Sequence, residues 1–212
     1  MLIKIYPQNP QPRAIQQVVE TLDRGGIVVY PTDTLYGLGC AIDRLPAAEF
    51  VAGIKGEEVE KDLFSFICAD LSQLALYCKP IPNTIFKLMK RHLPGPFTFI
   101  LEANSQVPKL FKSRKKTVGI RVPDNNIIRE IVRELGRPVL NTSLSQSEED
   151  PEYVCDPEWI HERYGKLIDL VVDGGTGGME PSTVVDCTSG EAVIIRQGLG
   201  SLWGDEGVGI RG

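Results

Sequence analysis

The sequence predicts an α/β fold: one domain on a twisted, mixed β-sheet flanked by helices. Three observations carry that expectation. Short apolar runs of strand length recur along the 212 residues. Stretches of helical spacing lie between several of them, and the strand-like runs near the C-terminus follow one another closely, which argues for a mixed rather than a purely parallel sheet. At this length a single core buries roughly 70% of the unfolded chain's surface, so neither metals nor disulfides are needed for stability. We expect the domain to span residues 1–198, with a glycine-rich tail over 199–212.

Taken in order, Leu2 to Tyr6 reads as a short strand. Ile15, Val18, Val19 and Leu22 then fall at helical spacing, and Gly25-Gly26 stops the helix. Ile27 to Tyr30 is a buried-type strand that runs into the loop Pro31-Thr-Asp-Thr-Leu-Tyr-Gly-Leu-Gly39, whose proline and glycines suit a sharp turn. Further strands are expected at Leu63–Cys68, Phe97–Glu102, Thr117–Val122, Pro138–Thr142, Leu167–Val172, Thr183–Cys187 and Ala192–Arg196. The clearest helix is Asn125–Leu135, with Ile127, Ile128, Ile131, Val132 and Leu135 on one face, Asp124 or Asn125 as cap and Gly136 as stop. Gly198 to Gly212 carries six glycines in fifteen residues and is expected to fray or cross the surface.

Composition removes several classes of function. A net charge of −5, with 42% hydrophobic and 24% charged residues, is ordinary for a folded soluble protein. No apolar run approaches the ~20 residues of a membrane span, and the start lacks the pattern of a secretory signal, so the cytoplasm is the default location and no membrane partner is expected. The five cysteines, Cys40, Cys68, Cys78, Cys155 and Cys187, contain no Cys-x-x-Cys pair, and His92 and His161 are the only histidines. Neither a zinc site nor a disulfide framework is written here, and no resident metal is expected. Lys109, Lys112, Arg114, Lys115 and Lys116 form one basic run, read either as a solvated loop or as a phosphate- or RNA-facing patch.

Two familiar nucleotide signatures, Gly-x-x-x-x-Gly-Lys-Ser/Thr and a strand-linked Gly-x-Gly-x-x-Gly, are absent. Instead, hydroxyl- and cation-bearing segments sit at the mouths of strands: Pro31-Thr-Asp-Thr34, Pro94-Gly-Pro-Phe-Thr98, Gly119-Ile-Arg-Val-Pro123, Asn141-Thr-Ser-Leu-Ser145, Pro181-Ser-Thr-Val-Val-Asp186 and Ile195-Arg-Gln-Gly198. Taken singly, each has an ordinary explanation in turn capping or ion pairing.

Together, in this order and spacing, they resemble the YrdC/YciO-type family of threonylcarbamoyl-adenylate synthases, and more the YciO branch than the YrdC branch. The resemblance implies a YrdC-like fold with a concave binding surface. It also implies a reaction in which bicarbonate and L-threonine form N-carboxy-threonine, whose carboxylate attacks the α-phosphate of ATP to give threonylcarbamoyl-adenylate and pyrophosphate. That product feeds threonylcarbamoyladenosine formation in tRNA. ATP is then a substrate arriving with Mg²⁺, and no permanent cofactor is implied. By motif, Lys55, Arg121 and Arg196 supply the catalytic cations. Thr32, Thr34 and Tyr36 line the threonine and carbamoyl end, and Thr98, Ser143 and Ser182 donate to substrate oxygens.

Three positions depart from the family pattern. Lys55-Gly-Glu57 stands where the family has Lys-x-Arg, which makes Lys61 the obvious stand-in for the lost cation. Phe66 replaces a histidine near the threonine pocket, or is simply a core aromatic, and Ser145 replaces an asparagine amide. Two other readings therefore stay open: a non-catalytic module for double-stranded RNA or tRNA, and an enzyme for a different phosphorylated or carboxylated metabolite.

Overall fold

A computed structural model describes residues 1–54, 64–108, 116–144 and 153–203. The strands are β1 (Leu2–Lys4), β2 (Val28–Tyr30), β3 (Gly37–Ala41), β4 (Ser65–Ile67), β5 (Phe97–Glu102), β6 (Thr117–Arg121), β7 (Val139–Ser143), β8 (Leu170–Asp173), β9 (Thr183–Asp186) and β10 (Val193–Arg196). Six helices accompany them: α1 (Pro12–Asp23), α2 (Leu45–Ile54), α3 (Leu71–Ala75), α4 (Asn83–His92), α5 (Asn126–Leu135) and α6 (Pro157–Tyr164).

All ten strands join one sheet in the order β1-β8-β2-β3-β7-β4-β6-β5-β9-β10. The pairs β1–β8, β8–β2, β4–β6 and β5–β9 are parallel, and the other five are antiparallel. The mixed α/β architecture expected from the sequence is thus the observed one.

Strand side chains alternate between faces and paired residues share a face, so the register sorts the whole sheet. On one face Val29, Leu38, Leu140, Phe66, Ile120, Phe99 and Val185 build a core under α2, α3, α4 and α6. On the opposite face Val28, Tyr30, Ala41, Val139, Ile67, Leu170 and Val172 are packed by α1 and α5. Among the described residues, the apolar cluster under α1 and α5 extends from β1 to β4. Beyond it, on β6, β5, β9 and β10, this face carries Gly119, Arg121, Thr98, Val184 and Arg196.

Helix α5 forms as its sequence specifies: the Asn125 side chain accepts from Ile127 N at 3.0 Å and Ile128 N at 3.3 Å, and Gly136 ends the helix at φ +73°. Two expectations are corrected. Gly37 to Gly39 is not part of a loop but the start of β3, antiparallel to β2 and β7. Its glycines are there for close approach: a Cβ on Gly37 would meet Asn141 Oδ1 and the Tyr30 ring. The C-terminal segment does not fray where it begins. Leu199 N donates to Pro181 O, Thr183 Oγ1 to Gly200 O at 2.7 Å, and Leu202 is buried in the core.

All five cysteines are free and buried. Burial pushes the thiols of Cys40, Cys78 and Cys187 up to about 12, and raises those of Cys68 and the phenols of Tyr30 and Tyr36. An unfolded thiol ionises near 9, so the folded state is fully favoured below that pH and loses the advantage as pH rises from there toward 12. We expect the urea midpoint to be lower at pH 10 than at pH 7.5; equal midpoints contradict the burial of these groups. No helix of the described residues is long and apolar enough to cross a membrane.

Candidate functional site

The polar half of this face, beyond α1 and α5, is organised by Arg121, at the end of β6. Its side chain is 2% exposed, and its Nη2 donates to Asp33 Oδ1 at 2.9 Å and to Thr34 Oγ1 at 2.8 Å. Burial lowers the pKa of this guanidinium, opposed by the Asp33 carboxylate and deepened by the positive field of Arg196. The Nε of Arg121 is buried with no hydrogen-bond partner among the described residues. Asp33 also accepts from Asp124 N through Oδ2 at 2.9 Å, which ties the 31–36 loop to the start of α5.

That loop is self-contained. Thr32 Oγ1 donates to Leu35 O at 2.7 Å and accepts from Thr34 N at 3.0 Å. With the Thr32 proton so committed, the 3.1 Å contact between the two hydroxyls makes Thr34 the donor to Thr32. Both threonine protons are therefore used inside the loop, and Arg121 takes a lone pair of Thr34. Tyr36 is fully buried; its hydroxyl donates to Gly175 O at 2.7 Å and accepts from Gly174 N at 3.2 Å, while Thr34 O accepts from Gly178 N. Thr32, Thr34 and Tyr36, expected to line the threonine and carbamoyl end, each have their single hydroxyl proton committed to a protein acceptor, so what they offer beyond the protein is lone pairs.

Thr98 and Ser182 meet across β5 and the start of β9, their hydroxyls 2.8 Å apart. Arg196 Nη2 donates to Ser182 O at 2.9 Å and lies 3.4 Å from Ser182 Oγ. Two hydroxyls joined by one bond leave one proton for an outside acceptor. Arg196 itself is exposed on the edge strand, and partial burial lowers its pKa. Ser143 closes β7 opposite Gly37 and is half-buried. The structure thus brings Arg121, Thr34, Thr98, Ser182 and Arg196 to one face, with two guanidinium groups and an available hydroxyl proton that suit the oxygens of a phosphate or carboxylate.

Lys55, Lys61 and Ser145, like Glu57 and most of the basic run from Lys109 to Lys115, lie outside the described residues. Phe66 lies on the face opposite Arg121, 1% exposed and edge-on to Tyr77 at 6.0 Å, which makes it a core aromatic. Among the described residues, no group of three or more His, Cys, Asp or Glu side chains could hold a metal ion.

Sequence reasoning left out Asp33, the carboxylate against the buried arginine, although its motif had been singled out. It also left out the buried polar line Tyr30–Asn141–Ser65: Tyr30 OH donates to Asn141 Oδ1 at 3.0 Å, and Asn141 Nδ2 to Ser65 Oγ at 3.1 Å. A tyrosine ending an apolar strand and a serine within another were the available signals, and each also reads as ordinary packing.

The family model Sua5_yciO_yrdC, described as telomere recombination, matches residues 20–198. YciO of Escherichia coli, itself described as uncharacterized, is 42% identical over 200 residues, covering 93% of this chain and 95% of that one. Its crystal structure superposes with a TM-score of 0.87 at 40% identity, over 96% of this chain and 98% of that one. A threonylcarbamoyl-AMP synthase of Marinobacter nauticus is 30% identical over 175 residues, 81% of this chain and 90% of its own. The structure of P. abyssi Sua5 complexed with L-threonine matches with a TM-score of 0.83 at 26% identity, over 93% of this chain and 57% of that longer one.

Proposed function

Because the chain belongs to the Sua5–YciO–YrdC family, we propose that it binds ATP and L-threonine at the polar half of the sheet face that carries Arg121 and makes threonylcarbamoyl-adenylate. The observation that carries this reading is the row Arg121, Thr98, Ser182 and Arg196. Two guanidinium groups and a hydroxyl pair with one uncommitted proton stand together on that face, beyond the apolar cluster under α1 and α5.

In the reaction, a carbamate oxygen of N-carboxy-threonine bonds to the α-phosphorus of ATP, and the bond from that phosphorus to pyrophosphate breaks; nothing is oxidised or reduced. Charge builds on phosphate oxygens, so catalysis is largely positioning and electrostatic stabilisation. Arg121, held rigidly by Asp33 and Thr34, offers a fixed cation at no reorganisation cost. Arg196 reaches from the sheet edge toward the same oxygens, and the Thr98–Ser182 pair donates its remaining proton. Mg²⁺ enters with the nucleotide. Lys55, Lys61 and Ser145 complete the set by resemblance, bicarbonate supplies the carbamate, and the product serves tRNA modification in the cytoplasm.

Calorimetric titration with ATP and Mg²⁺ tests the site. We expect Arg196→Ala to weaken nucleotide binding about tenfold or more while lowering stability by about 1 kcal/mol, the loss of its hydrogen bond to Ser182 O. Unchanged affinity in that variant contradicts the assigned site.

A further inference from the structure

We propose that Ser65 is a further ligand-binding residue of this site, a hydrogen-bond donor aimed by Asn141 and Tyr30 at an anionic oxygen of the ligand, carboxylate or phosphate. The proposal rests on the reading of the site given above and adds to it a donor from β4.

Tyr30 is fully buried, and a buried phenol needs an acceptor for its one proton. That acceptor is Asn141 Oδ1, 3.0 Å away. With its oxygen turned to Tyr30, the amide presents its nitrogen to Ser65, whose Oγ accepts at 3.1 Å. A hydroxyl that accepts from Asn141 directs its own proton elsewhere, and no described residue takes it. The line Tyr30–Asn141–Ser65 therefore ends in a donor.

The register says where that donor stands. Ser65 pairs with Gly119 on β6, two residues before Arg121 on the same face. A Cβ on Gly119 would lie 3.6 Å from Ser65 Cβ and 3.3 Å from Thr98 Cγ2, so glycine at this position lets Ser65 and Thr98 approach one another closely across β6. Ser65 stands on one side of Gly119 and the Thr98–Ser182 pair, with its uncommitted proton, on the other. Two donors beside a buried guanidinium fit an oxygen that carries negative charge. A buried polar line of this kind is costly unless every member is satisfied, and a ligand oxygen satisfies the last one.

The test uses the full chain and two probes, L-threonine alone and ATP with Mg²⁺, each titrated calorimetrically. Ser65→Ala is expected to weaken one of them about tenfold or more, and the probe affected identifies the oxygen as carboxylate or phosphate. Tyr30→Phe frees the Asn141 amide to turn and is expected to weaken the same probe, while the double variant Tyr30→Phe/Ser65→Ala binds no more weakly than Ser65→Ala alone. Additive losses overturn the aiming role of Tyr30. Parent-like binding of both probes by Ser65→Ala overturns the assignment of Ser65 and leaves the functional reading standing. A parent protein that binds neither probe overturns the functional reading, and the Ser65 proposal with it.

Discussion

Replacing Arg121 by methionine is expected to lower the unfolding free energy by about 3–5 kcal/mol. The guanidinium is 2% exposed and Asp33 9%, so the substitution strands a buried carboxylate and also strips Thr34 of its donor. In a chain of this size each kcal/mol is worth ~2–4 °C, which puts the fall in Tm at roughly 10 °C. Adding Asp33→Asn should restore part of the loss, because a neutral amide no longer leaves a charge unpaired. Ligand affinity should not return with it. Thermal unfolding of the three proteins checks the account; a single variant melting within about 2 °C of the parent shows that the pair is not the buried centre described above.

Gly39→Ala is expected to be worse tolerated than a conservative change at Thr98 or Ser182. The new Cβ would fall onto the carbonyl oxygen of Leu140 on β7 and 2.8 Å from the Tyr30 hydroxyl. A backbone carbonyl cannot rotate away while β3 and β7 stay paired through Gly39 and Asn141. The cost should exceed about 3 kcal/mol, at or beyond the usual range for overpacking, and the Tyr30–Asn141 bond should be lost with it. Gly53→Ala provides the contrast: nothing lies within 4 Å of a Cβ there, and the position is helical. That variant should gain up to about 1 kcal/mol. Urea denaturation separates the two, and equal stability of both variants contradicts the close approach of β3 to β7.

What could be read from the sequence was what is local. β5 spans Phe97–Glu102 as expected, the charged Glu102 closing its apolar run, and α5 carries its own cap and stop in Asn125 and Gly136. Strand β3 was missed because glycine signals a turn and a close approach with the same letter, and only the position of Asn141 and Leu140 separates the two. The placement of Arg121, Thr98, Ser182 and Arg196 on one face followed once the strands were aligned, since their spacing had already set each near a strand end. Asp33 carried no local signal of its role: its partner Arg121 stands 88 residues away, and Asn141 stands 76 residues from Ser65. The fate of the Thr32 and Thr34 protons was equally hidden, because a hydroxyl beside a proline reads the same whether it faces a ligand or a carbonyl of its own loop.

The most direct measurement is to incubate the protein with ATP, Mg²⁺, L-threonine and bicarbonate and to look for threonylcarbamoyl-adenylate by mass spectrometry, with a control lacking threonine. The account predicts a product that depends on threonine and is diminished in Arg196→Ala. No product above the control, in a protein that still binds ATP, would contradict it.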